Sequence, residues 1–193
     1  MSPKQPGAVQ AQSLNPQLEL RLPDFLREQK MPLPSVEEMR ELHACLEAWS
    51  KSLVCLRLSF ADEHGQGEAP SELLWVYLPE AVERHIADAW QRSPTQGHLL
   101  HSLAQQLCRK AVGLVLPEAG VSGCAPLPGL TRAKTDLLRR FVAGFEHGGG
   151  AENKFVSSSA GLGRVYSILT YYPYAGDCAR CALSESCPRL RHC

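Results

Sequence analysis

An α+β fold, with helices packed on a small and mostly antiparallel sheet, is predicted by three features of the chain. Short stretches alternate at a period of two or run apolar over strand length. Longer stretches place apolar residues at helical spacing, and Gly- and Pro-rich linkers divide the two kinds. No internal repeat is visible and the linkers are short, so one domain accounts for the 193 residues.

Residues 1–34 contain Pro3, Pro6, Pro16, Pro23, Pro32 and Pro34, which block a long helix or a central strand. They are expected to form a flexible Pro-rich arm, with the stretch LELRLPDFLRE able to dock on the body. Ser35 with Glu38 three residues later is a capping-box pattern, and Val36, Met39, Leu42, Leu46 and Trp49 continue it at helical spacing. SLVCLRLSF (52–60) sets Val54, Leu56, Leu58 and Phe60 on one side, as a half-buried strand does. A turn-rich linker separates it from ELLWVYL (72–78), which predicts a hairpin with a long loop.

Pro79 and Glu80 open a helix running through Trp90, and a second begins at Gln96 or Gly97 and reaches Leu114, with Leu99, Leu103, Leu107 and Ala111 as its stripe. LPEAGVSGCAPLPGL (116–130) reads as a loop, and Thr131 to Glu146 as a helix closed by Gly148–Gly150. Phe155 to Tyr172 alternates loosely around a Ser/Gly interruption at 157–163 and reads as one or two strands. The expected organisation is an arm over 1–34, an α+β core over 35–172 and a cysteine-rich cluster-binding loop over 173–193.

Twenty basic and twenty acidic residues cancel, so no global field steers the chain to nucleic acid or to an anionic membrane. No apolar stretch approaches the length of a membrane span, and the first residues carry no basic segment followed by an apolar run. The expectation is a cytoplasmic protein with no membrane contact, in a reducing compartment where clustered cysteines serve as metal ligands or redox groups more often than as disulfides. A chain of this length can bury a core without disulfide staples.

Four of the eight cysteines fall in the last sixteen residues: Cys178, Cys181, Cys187 and Cys193, in the order C-x2-C-x5-C-x5-C. Four thiolates suit either zinc or an iron–sulfur cluster. Structural zinc sites usually pair two short knuckles, and here only Cys178 and Cys181 form one. The two longer intervals wrap more readily around a cubane, so a [4Fe-4S] cluster is expected on these four residues, with Zn and [2Fe-2S] as the alternatives. Cys193 is expected as the fourth ligand because it is local and a short loop closes at little entropic cost.

The segment CARCALSESC resembles the C-x2-C-x5-C loop that carries a [4Fe-4S] cluster in endonuclease III-type DNA glycosylases and in RecB-like nucleases, including CRISPR-associated ones. The resemblance covers about ten residues and implies a cluster-binding loop. Those families take a fourth cysteine from upstream, and the glycosylase spacing puts that position at Tyr171. Neither a helix-hairpin-helix nor an acidic nuclease motif is visible. TYYPYAGDCARCAL also resembles the end of siderophore ferric reductases, whose adjacent cysteine pair would fall at Tyr166 and Ser167.

Other chemistry is sparse. There is no G-x-S-x-G, P-loop or H-E-x-x-H. His98 and His101 read as solvated residues near a helix start, His85 as a helix-face residue, and Cys45 and Cys108 as small apolar residues bordering the core. Arg109 and Lys110 beside Cys108 would favour a thiolate if it were exposed. Cys124, in a Gly/Pro loop, is the non-terminal thiol within reach of a C-terminal centre. Arg132, Arg139 and Arg140, with Arg180, Arg189 and Arg191 near the cysteines, would form one basic patch for nucleic acid if the loop docked beside the last helix. The expected role is that of an accessory protein without a hydrolytic site, acting with a protein partner in electron transfer, cluster delivery or assembly. The alternatives are a nucleic-acid-binding subunit and a zinc-stapled interaction module.

Overall fold

A computed structural model of the chain describes residues 9–29, 33–60, 72–146, 164–174 and 181–183. In chain order the elements are β1 (Val9–Leu14), α1 (Leu22–Gln29), α2 (Val36–Ser52), β2 (Val54–Phe60), β3 (Glu72–Tyr77), α3 (Glu80–Arg92), α4 (Pro94–Val115), α5 (Pro117–Ser122), α6 (Arg132–Glu146) and β4 (Ser167–Tyr172). The strands form one sheet in the order β1-β2-β3-β4, every neighbour antiparallel. The α+β class and the β2–β3 hairpin follow the sequence reading.

Strand alternation sends side chains to two different cores. Leu56, Leu58 and Phe60 of β2, Leu73, Trp75 and Tyr77 of β3, and Leu169 of β4 meet Leu138 and Val142 of α6 on one face. Cys55, Leu74 and Val76 face the opposite way, into the larger core built from α1 to α5. β3 is the most buried strand because both of its faces are covered, which explains why ELLWVYL reads as a continuous apolar run.

The helices begin and end where local chemistry dictates. Ser35 Oγ accepts from Glu38 N at 3.2 Å while Glu38 Oε2 accepts from Ser35 N at 2.7 Å, completing the capping box of α2. Ser93 alone joins α3 to α4: its N–H donates to Ala89 O, and its Oγ accepts from Gln96 N at 3.3 Å. Pro94 at the first position then starts α4 earlier than apolar periodicity indicates.

Two stretches differ from expectation. Part of the arm over 1–34 belongs to the fold: β1 pairs with β2 from Val9↔Phe60 to Leu14↔Cys55, and Phe25 of α1 is fully buried in the larger core. VQAQSL is too polar to announce a strand, because one edge of β1 and most of its side chains remain exposed. Within 116–130, Pro117–Ser122 forms the short helix α5, opened by Pro117 and closed by Gly123 at φ 61°, the left-handed conformation glycine adopts without strain. α4 and α5 touch backbone to backbone, and a Cβ on Gly120 would sit 3.2 Å from Gly113 Cα. The Ser/Gly segment 157–163 and Gly148–Gly150 lie outside the described residues.

Candidate metal centre

β4 lies at one edge of the sheet, and the loop from Gly123 to Thr131 is fastened to it from both faces. Buried Thr170 donates through Oγ1 to Pro126 O at 2.9 Å, and Tyr171 Oη accepts from Gly129 N at 3.3 Å. Beyond β4 the chain turns through a cis Tyr172–Pro173 bond, and Tyr174 Oη hydrogen-bonds Ser122 Oγ at 2.8 Å. When the chain is next described, Cys181 pairs antiparallel with Pro128, and Ala182 N donates to Leu127 O at 2.8 Å. Tyr174 is thus held at Ser122, the last residue of α5, and Cys181 at Pro128 in the loop that follows.

Of the four cysteines expected to hold a cluster, Cys181 is described and half-buried, and Cys178, Cys187 and Cys193 lie outside the described residues. Three upstream thiols belong to the core. Burial pushes Cys45 and Cys55 up to about 11, with Glu41 adding to the effect at Cys45, and pushes Cys108 up to about 12. Arg109 and Lys110 do not offset that burial, and Cys108 Sγ donates inward to Tyr166 O at 3.5 Å. All three are thiols at neutral pH and make poor metal ligands. Cys124 differs from them: it is half-buried and lines a groove of about 590 Å³ with Arg109, Lys110, Gly113, Gly120 and Ile168.

His85 and His101 are engaged in structure. His85 Nε2 lies 3.1 Å from Glu41 Oε1 and 3.7 Å from Cys45 Sγ, and Glu41 also accepts from Arg92 and Gln96, tying α2 to α3 and α4. His101, expected as a solvated residue, is half-buried: its Nδ1 meets Tyr166 Oη at 2.9 Å and its Nε2 meets Gln105 Nε2 at 2.9 Å. Tyr166 lies 65 positions along the chain, so nothing local signals the pair. Burial, then the neighbouring His98, holds His101 below its ordinary value. His98 is exposed, as expected.

The arginines of α6 divide in the same way. Arg132, Arg139 and Arg140 are exposed, on a helix that packs through Leu138 and Val142. Arg139 pairs with Asp136 at 3.4 Å. Arg180, Arg189 and Arg191 lie outside the described residues. Pro128, which holds Cys181, precedes Arg132 by only four positions.

Among the described residues no group of three or more His, Cys, Asp or Glu side chains is arranged to hold a metal ion, and no helix is long and apolar enough to cross a membrane. No family model, curated protein or solved structure matches the chain. The cysteines described near the Pro128 loop, Cys124 and Cys181, offer soft sulfur donors, which suit zinc or an iron–sulfur cluster in preference to the hard cations that select oxygen. Cys181 fits such a group: its backbone is fixed, and its side chain stays outside both apolar cores. Sequence reasoning missed Thr170, Ser122 and Tyr174, whose side chains hold the loop and carry no motif.

Proposed function

We propose that this chain is a cytoplasmic iron–sulfur accessory protein whose C-terminal cysteines hold a [4Fe-4S] cluster and which acts with a protein partner. The observation that carries the reading is the fastening of Cys181 to Pro128 in a segment spaced C-x2-C-x5-C-x5-C. Fixing the backbone of Cys181 in advance lowers the ordering cost of using its thiolate as a ligand. When bound, such a cluster supplies one-electron transfer or structural cross-linking. Cys178, Cys181 and Cys187 would give three thiolates, and by the run alone Cys193 gives the fourth. Thr170 fastens the loop with which Cys181 pairs, and Tyr174 is held at Ser122 at the end of α5.

The test is anaerobic purification with iron, sulfide and zinc analysis. A brown protein with broad absorption near ~400 nm, bleached by Cys181→Ser, supports the cluster. A colourless protein with one stoichiometric zinc replaces it with the zinc-stapled module. A second reading has its own support. The Cys181–Pro128 pairing brings Cys181 to within a few chain positions of the start of α6, which carries the exposed Arg132, Arg139 and Arg140. A nucleic-acid-binding subunit would show affinity that falls linearly with salt on a log–log plot and drops on Arg132→Ala with Arg140→Ala. Absence of binding at ~50 mM salt, where phosphate contacts are strongest, removes this reading.

A further inference from the structure

We infer that the groove beside α4 and α5 binds a free apolar α-amino acid, its carboxylate at Arg109 and Lys110 and its ammonium at Gln106 and Glu28. This site is separate from the metal centre and does not depend on it. The groove has a volume of about 590 Å³, within the range of about 300–1,000 Å³ that small-molecule sites occupy. Gln106, then Arg109 and Lys110, then Gly113 recur at helical spacing, so they follow one another along a single face of α4 over about 10 Å. The chemistry of the groove therefore changes in a fixed order: acceptors first, cations one turn on, and a small apolar floor beyond them.

At the first end the Gln106 amide donates to Glu28 Oε2, which leaves Gln106 Oε1 buried and without a hydrogen-bond partner among the described residues. An unpaired buried acceptor is destabilising, and an N–H donor entering the groove relieves it. The Glu28 carboxylate beside it favours a donor that carries positive charge. Arg109 and Lys110 are exposed and make no ion pair with a described residue, so a carboxylate finds two free cations there. Further along, a Cβ on Gly113 would sit 3.3 Å from Gly120 Cα, so α4 and α5 meet without side chains and, with Ala125 and Ile168, offer a floor for hydrocarbon. A simple carboxylate would leave Gln106 Oε1 unpaired, and a simple amine would face the two cations without a counter-charge. An α-amino acid carries both charges on one carbon and directs its side chain to the third position.

The probes are L-leucine, isocaproate, which lacks its amine, and isoamylamine, which lacks its carboxylate, each titrated by calorimetry against the full chain to about 10 mM. Leucine should bind at least about tenfold more tightly than either fragment, because each fragment forfeits one charged contact. Arg109→Ala with Lys110→Ala, and separately Gln106→Ala, should each weaken leucine by about tenfold or more, with melting temperatures confirming that the variants fold. Cys124 lines the groove, so leucine should slow its labelling by N-ethylmaleimide and leave the labelling of Cys181 unchanged. Absence of leucine binding by about 10 mM overturns the inference. Equal affinity for isocaproate also overturns it and makes the groove a plain anion site. Leucine binding that the double variant does not weaken overturns it by placing the ligand elsewhere. If the double variant does not fold, Cys124 in the wild type decides: protection by leucine and not by the fragments at the same concentration is expected, and unchanged labelling overturns the inference.

Discussion

Thr170→Val and Thr170→Ser together test whether one buried hydrogen bond holds the loop that carries Cys124. Among the described residues Thr170 is the buried polar side chain, and its Oγ1 donates to Pro126 O at 2.9 Å. Valine keeps the shape and leaves the Pro126 carbonyl without its partner, a loss of about 1–3 kcal/mol. Serine keeps the hydroxyl and removes one buried methyl, which costs about 1 kcal/mol in transfer and cavity terms. For a chain of this size each kcal/mol lowers the melting temperature by about 2–4 °C, so a valine loss of ~2 kcal/mol gives a drop of about 4–8 °C. Urea unfolding with melting curves measures both variants, and maleimide labelling of half-buried Cys124 reports the loop directly. Valine should be the less stable of the two and should speed labelling. A valine variant as stable as wild type, with unchanged labelling, would refute the view that this bond fixes the loop.

Two further outcomes follow from other parts of the molecule. Phe25→Ala should cost about 3–5 kcal/mol in urea unfolding, as fully buried aromatic truncations do, because α1 contributes to the larger core; a cost near zero would restore the independent arm. His101 is held neutral by burial and by His98, so the unfolded chain takes up its proton first on acidification. The resulting stability is complete above about 6.5 and is lost as the pH falls from there through the lower folded value, and His101→Gln should flatten that part of the urea-midpoint profile between pH 7.5 and 5.

What could be read from the sequence was whatever depends on near neighbours. The Ser35–Glu38 box places the start of α2, because both of its hydrogen bonds span three residues. The period of two in Val54, Leu56, Leu58 and Phe60 places a strand and its buried face, because burial of alternate side chains is set by the pleat. β1 escaped because its stability comes from pairing with β2 and not from its own apolar content. α5 escaped because a six-residue helix among Gly and Pro has no periodic stripe to display. The spacing of the cysteine run is legible in the sequence and carries the proposal of a ligand set. Its attachment to Pro128 was not, because a backbone bridge between positions 53 apart leaves no trace in either segment. The same applies to His101, whose partner Tyr166 is supplied by the chain just before β4.

The placement of β4 beside β3 has a kinetic consequence. Its partners are at least 90 positions apart, Tyr77 with Ser167 being the nearest, so the final strand joins only after α3 to α6 have been synthesised and the intervening chain has closed. Loop closure over that distance makes the pairing slow relative to the β2–β3 hairpin and to the α3–α4 pair joined by Ser93. The loop that pairs with Cys181 is itself held by this late strand, through Thr170 and Tyr171. The order of assembly is therefore built into the topology: helical layer and hairpin first, last strand next, and Cys181 paired with Pro128 at the end. A folding intermediate lacking β4 would leave the Pro128 loop unfastened and the thiol of Cys181 more open to oxidation than in the finished fold.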